Sequence, residues 1–254
     1  MLLAFDIGNT NITLGVYDDR VLLFTGRLAT DNKTTADQYA IDIKNILKLH
    51  RCDYRDIEDC IIASVVPTVG TAIRRAVSFL CDIVPLEIGP GIKTGLNIKI
   101  DNPAQLGADL VAGAVGAINE YNLPCIVIDM GTATTLSVID ENATYLGGVI
   151  AAGVQLTLKA LTENTAALPS VSIKAPANVV GTNTVDCMQS GLVFGTAAML
   201  DGLIGQISEQ LGTAPTVIAT GGLSHEIIPH CRHDIIYNEN LLLEGLREIY
   251  ERNK

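Results

Sequence analysis

The sequence predicts two tandem α/β domains, each a mixed sheet covered by helices, with a ligand cleft between them. Three observations carry this expectation. The first is an internal repeat near half the chain length. LLAFDIGNTNITLG at 2–15 and CIVIDMGTATTLSV at 125–138 align without gaps at an offset of 123, placing Asp6 on Asp129 and Gly8 on Gly131. The second is the pattern inside each copy: an apolar strand, an Asp-x-Gly turn, then a second strand that ends in turn-rich residues, Tyr17 to Asp19 and Asp140 to Asn142. The third is composition. Hydrophobic residues are 48% of the chain, aromatics only 4%, and Trp is absent, so the core must be Ile, Val, Leu and Ala, which suits buried strands under helices.

The remaining elements follow in order. Thr35 to Gln38 reads as a capping box, and Tyr39, Ile43, Ile46 and Leu47 recur after it at helical spacing. Ile61 to Ser64 is a short strand closed by Val66-Pro67, and Val69, Ile73, Val77 and Leu80 mark the next helix. Leu110, Val111, Ala114, Val115 and Ile118 mark a third helix, before the second hairpin. Val217 to Thr220 echoes Ile61 to Ser64 at an offset of 156, so the second half carries about 33 extra residues, assigned to Gly147 through Gly191. Met188 to Leu211 forms one long helix or two shorter ones, and Leu242, Leu246 and Ile249 share a face of a C-terminal helix. The expected division is a first domain at 1–119 and a second at 120–254 with an insertion around 147–191, joined near Glu120 to Pro124.

The formal charge is −11, from 17 Lys and Arg against 28 Asp and Glu, which argues against a nucleic-acid partner because phosphate contacts need clustered Lys and Arg. Met1-Leu2-Leu3 lacks a basic leader, and the longest uncharged stretch, Asn142 to Leu158, is too short and too polar to span a membrane. The six cysteines, at 52, 60, 81, 125, 187 and 231, show no CxxC spacing and read as reduced thiols of a cytoplasmic protein. His230-Cys231-Arg232-His233 reads as a polar loop after Pro229 in preference to a metal cluster.

The chemistry sits in two segments. In Asp6-Ile7-Gly8-Asn9-Thr10-Asn11, a tight turn after a strand aims backbone N–H groups one way, Gly8 removes a Cβ, and Asn9 to Asn11 add donors: a phosphate cradle. An Asp at the strand end suits a cation that neutralises phosphate, although an ordinary Asx-turn fits one copy equally well. Neither GxxxxGK[ST] nor GxGxxG occurs. The second segment is DNPAQLGAD at 101–109, where Asp109 reads either as the carboxylate that accepts a hydroxyl proton in phosphoryl transfer or as a plain N-cap.

Paired Asp-x-Gly hairpins in tandem α/β domains resemble the actin, sugar-kinase and heat-shock ATPase superfamily, which implies actin-like (ribonuclease H-like) domains holding ATP from opposite sides. The chain is further similar to the type III pantothenate kinases through DIGNTNIT, SVVP at 64–67, PGIKTGLNI at 90–98 and DNPAQLGAD at 101–109. The likeness continues through DMGTATT at 129–135, GGVIAAG at 147–153, TAALPSV at 165–171, GTNTVDCMQSG at 181–191 and ATGG at 219–222. The resemblance implies an ATP-dependent phosphorylation of pantothenate, the first step of coenzyme A synthesis. It implies ATP phosphates on Asp6, Ile7, Gly8, Asn9, Thr10, Asn11, Ile12, Thr13 and Thr132, with a divalent cation (Mg). It implies Asp109 as the base, Asp129 as ligand of a monovalent cation (potassium or ammonium), and pantothenate near Gly107, Ala108, Asp109, Leu110 and Thr184. A homodimer is implied too.

The departures fall at the acid-binding end. The family usually has Arg after the base, where this chain has Leu110; its Asn a few residues on is Gly113, and the Pro of GxIxPG is Ala152. Lys93 could supply the missing cation, or be a solvated loop lysine. Two other readings stay open: a kinase for another small hydroxy compound, and a non-catalytic nucleotide-binding regulator of the same fold.

Overall fold

The structure is a computed structural model that describes all residues, Met1 to Lys254. The first half contains β1 (Leu2–Ile7), β2 (Asn11–Asp18), β3 (Val21–Ala29), α1 (Ala36–Leu49), β4 (Asp59–Ser64), α2 (Pro67–Cys81), β5 (Leu86–Glu87), β6 (Asn97–Ile98) and α3 (Ala108–Glu120). The second contains β7 (Cys125–Met130), β8 (Ala133–Ile139), β9 (Thr144–Ala152), α4 (Val154–Asn164), α5 (Thr184–Leu211), β10 (Thr216–Thr220), α6 (Ser224–Ile227), β11 (Ile236–Tyr237) and α7 (Leu241–Glu251).

Unit 1 comprises Met1–Leu96, Asp101–Glu120 and Asn240–Lys254. Its sheet has the order β3-β2-β1-β4-β5, with β1, β2 and β3 an antiparallel meander and β4 and β5 added in parallel. Alternate residues of β1 feed two cores. Leu3, Phe5 and Ile7 pack with Ile43 of α1 and Ile73 of α2, while Leu2 and Ala4 pack with Val111 of α3 and Leu246 of α7. Helices on both faces explain why β1 is apolar from Leu2 to Phe5 and does not alternate with polar residues there. The N-cap half of the expected capping box forms, Thr35 Oγ1 accepting from Gln38 N at 3.3 Å, while Gln38 Nε2 donates to Asp42 Oδ1 at 3.0 Å.

Unit 2 comprises Asn97–Ile100 and Tyr121–Glu239, and its sheet order is β11-β10-β7-β8-β9-β6. The architecture repeats: β7, β8 and β9 form an antiparallel meander, with β10 parallel to β7. Ile126, Ile128, Met130 and Leu136 pack against Leu192, Val193, Leu200 and Ile204 of α5. That helix is single and starts four residues before the expected Met188. Its N-cap Asn183 accepts from Asp186 N at 3.0 Å, and it ends on Gly212 with φ of 71°.

Four details correct or refine the sequence reading. The meander extends the repeat, since β3 and β9 stand at the same offset of 123 as β1 and β7. The turn after Gly131 is one residue shorter than that after Gly8: Asp6 pairs with Thr13, but Asp129 pairs with Thr135, so the ungapped alignment slips by one residue in the second strand. The later echo slips too, because Asp6 pairs with Ala63 and Asp129 with Thr220, an offset of 157 and not 156. A one-residue slip matters because it changes the face a side chain occupies. Finally, α7 belongs to unit 1 and Asn97–Ile100 to unit 2, so the chain does not divide once at 119/120. The cause is packing: Leu243, Leu246, Ile249 and Tyr250 bury against β1, β4 and α3.

Candidate active site

In unit 1 the Asp6 turn is built tightly. Gly8 N donates to Asn11 O at 3.0 Å, and a Cβ on Gly8 would stand 3.2 Å from that same oxygen. The turn itself therefore requires this glycine, and its N–H is occupied within the protein. Beyond Gly8, the turn carries Asn9, Thr10 and Asn11, whose side chains are exposed. Ile7 and Ile12 are fully buried core residues, so only their backbone can face a ligand. Thr30, just past β3, straps the turn: its Oγ1 donates to Gly8 O at 2.7 Å and its N to Thr10 O at 3.0 Å. No spacing rule in the sequence marks Thr30.

Asp109 occupies the second position of α3 and is not its N-cap. Its Oδ1 accepts from Leu110 N at 2.8 Å, and the carboxylate curls over Gly107, where any Cβ would collide with it. Gly107 is thus fixed by the carboxylate it carries. The group is half-buried, and desolvation raises its pKa above the usual carboxylate value, against two backbone hydrogen bonds that lower it. Val65 lies within 4 Å of the position a Gly107 Cβ would take, and Val65 N donates to Ile7 O at 3.1 Å. Asp109 therefore stands at the edge of the sheet where β1 ends in Asp6-Ile7. Leu110 serves through its backbone. Lys93 is exposed, and its backbone is held by Asn253, whose Oδ1 accepts from Lys93 N at 3.0 Å and whose Nδ2 donates to Lys93 O at 2.9 Å.

In unit 2 the Asp129 turn is closed by Gly131 N donating to Ala133 O at 3.1 Å, with Thr132 exposed at its tip. Gly153, the N-cap of α4, packs on this turn: a Cβ there would lie 2.6 Å from Gly131 O. Gly221, at φ of 93°, runs against the Asp129 carboxylate; its Cβ would lie 2.7 Å from Oδ1. Thr184 is the exposed first residue of α5. Beside it the coil after α4 leaves an open pocket of about 520 Å³ lined by Ser170, Ser172, Lys174, Asp186 and Gln189 among others. The His230 to His233 segment is a loop pinned by Asp201, which accepts from Arg232 N at 2.9 Å and His233 N at 3.1 Å.

A duplicated meander with an Asp near the end of each central strand defines the class by its fold: an actin-like chain. The family model for type III pantothenate kinase matches residues 2–206, and the chain belongs to that family. Relatives named type III pantothenate kinase include one from Halalkalibacterium halodurans, 42% identical, and one from Exiguobacterium sibiricum, 44% identical; each comparison covers 100% of both chains. Among solved structures, a Baf-family protein from Campylobacter jejuni superposes with a TM-score of 0.62 at 20% identity, covering 99% of this chain and 98% of that one, a likeness of fold.

Proposed function

We propose that this protein transfers the terminal phosphoryl group of ATP to the primary hydroxyl of pantothenate, giving phosphopantothenate for coenzyme A synthesis. Family membership across residues 2–206 supports the substrate pair. The observation that carries the mechanism is the Asp109 carboxylate, tethered through Oδ1 to Leu110 N and raised in basicity by burial. Its Oδ2 then takes the hydroxyl proton as the oxygen attacks in line, and Gly107, Ala108 and Leu110 shape the pantothenate end together with Thr184. The strapped turn of Asp6 to Thr13, and Thr132, hold the polyphosphate through backbone and side-chain donors. Most of the acceleration in such a transfer comes from positioning and charge complementarity.

Bound Mg and a monovalent cation, potassium or ammonium, supply the positive charge that offsets the polyphosphate. The residues suit both ions: Asp6 ends β1 beside the turn, and Asp129 lies where backbone and hydroxyl oxygens gather. The working form in this reading is a cytoplasmic homodimer. The net charge of −11 on each chain disfavours nucleic acid. α5 is long and apolar enough to cross a membrane by length and composition, and 39% of its apolar window is buried, in the core of unit 2.

The test is transfer of label from radiolabelled ATP, with and without pantothenate, resolved by product chromatography. Labelled phosphopantothenate is expected only with both substrates. Label appearing solely in inorganic phosphate, at a rate indifferent to pantothenate, would overturn the reading.

A further inference from the structure

Thr135 Oγ1, in the centre of β8, is buried and has no hydrogen-bond partner. A buried hydroxyl left in that state is costly, and an ion or water is the usual resolution. Its place is specific. Thr135 stands directly opposite Asp129 in the β7–β8 ladder, and directly opposed residues project from the same face with Cβ atoms about 4.5–5.5 Å apart. Thr220 opposes Asp129 from the other side, and the Gly221 backbone closes against the carboxylate oxygen. Ser137, the next residue of β8 on this face, is already satisfied by Tyr145 Oη at 3.2 Å. Thr134 Oγ1 is orphaned as well, but Thr134 opposes Met130 and projects from the other face, so of the two orphaned hydroxyls of β8 it is Thr135 that stands beside the carboxylate. In the first hairpin Thr13 holds the equivalent place opposite Asp6, but its hydroxyl is not among the orphaned atoms.

We infer that Thr135 is an oxygen ligand of a monovalent cation held at Asp129. This rests on the cation reading proposed above and adds a residue to it. A carboxylate and a hydroxyl on adjacent strands offer three hard oxygens of total charge −1, which repel an anion and suit a weakly hydrated monovalent ion. No three His, Cys, Asp or Glu side chains gather in a metal-binding group anywhere in the chain, so the multi-carboxylate donor set that favours a divalent ion is missing here. The hydroxyl directs its lone pairs to the cation, which removes the cost of its burial.

The experiment uses the full chain and reads stability as well as turnover. Thermal midpoints are titrated with potassium chloride against tetramethylammonium chloride at matched ionic strength, since a ligand of the native state raises the midpoint by mass action. Thr135→Val keeps the shape and removes the oxygen; Thr135→Ser keeps the oxygen. The valine variant is expected to shift the potassium midpoint about tenfold or more, the worth of one contact to a charge, while serine restores it. Potassium activation of transfer should shift in parallel. If valine titrates like wild type, or serine fails as valine does, Thr135 binds a structural water or packs, and the inference is overturned with Asp129 untouched. If wild type responds equally to both salts, the cation reading itself falls, and Thr135 with it.

Discussion

Asp109 is held under two demands that oppose each other. In the base role proposed for it, the group needs a proton affinity above that of a solvated carboxylate, and burial raises that affinity at the expense of its charged form. A carboxylate whose folded pKa lies above its unfolded value weakens the fold once it ionises, so its contribution to stability is lost as pH rises through the folded pKa. Asp109→Asn removes the charge and retains an acceptor for Leu110 N. The variant should lose about 10²–10⁴-fold in kcat with KM for ATP little changed. It should also melt higher than wild type at neutral pH. The gain should close as pH falls below the ordinary carboxyl value of 3.8, where Asp109 is protonated in both states. Calorimetry across pH checks the second outcome; a variant that melts no higher at neutral pH means burial does not set the basicity. One that keeps a tenth of the wild-type turnover removes Asp109 from the base role.

At the scale of elements, α3 owes its seat to α7. Gly116 and Gly245 let the two helices cross backbone to backbone: a Cβ on Gly245 would strike Ala112 O, and one on Gly116 would strike Leu241 O. Glycine inside a helix costs up to about 1 kcal/mol relative to alanine, so the close crossing must return more than it loses. Gly245→Ala should therefore destabilise the protein by roughly 1–3 kcal/mol, contrary to the usual gain from that exchange in a helix. Urea unfolding measures it, and an unchanged or raised midpoint would mean the helices can separate freely. The sequence makes the side-chain half of this packing partly legible, since Leu246 and Ile249 are buried as expected but Leu243, not Leu242, is the third residue of the buried face; it does not reveal the partner, because a backbone contact leaves only a missing side chain as its trace. α4 escaped for a similar reason: it buries just Val154 and Leu158, too little for a periodic stripe. β3 opens on the apolar run Val21-Leu22-Leu23-Phe24, yet as an edge strand it alternates between exposed and half-buried positions and buries none of its residues fully. The Asp-x-Gly turns and the Asp109 segment are readable from chemistry and ATGG at 219–222 from resemblance, whereas Thr30 and Thr135 come beside the candidate site only through tertiary approach and register.

For the whole molecule, α5 presents a face that the chain itself does not explain. Gly191, Gly195 and Gly202 are exposed, and a Cβ on any of them, or on Gly205, would meet nothing within 4 Å. Glycines in mid-helix that no internal contact requires weaken the helix for no gain inside one chain. They do admit a second helix at short range, where ridges of small residues allow close axes. From Met188 to Leu200 the helix carries no charged residue, in a chain with net charge −11 whose copies repel at distance. A charge-free strip is where two such copies can meet. Light scattering at micromolar concentration should give twice the mass of one chain. Gly195→Glu, which sets two carboxylates at such an interface, should give a single-chain mass with unchanged far-ultraviolet dichroism. A wild-type protein with the mass of one chain would reject the dimer, and a Gly195→Glu variant that stays dimeric would move the interface away from α5.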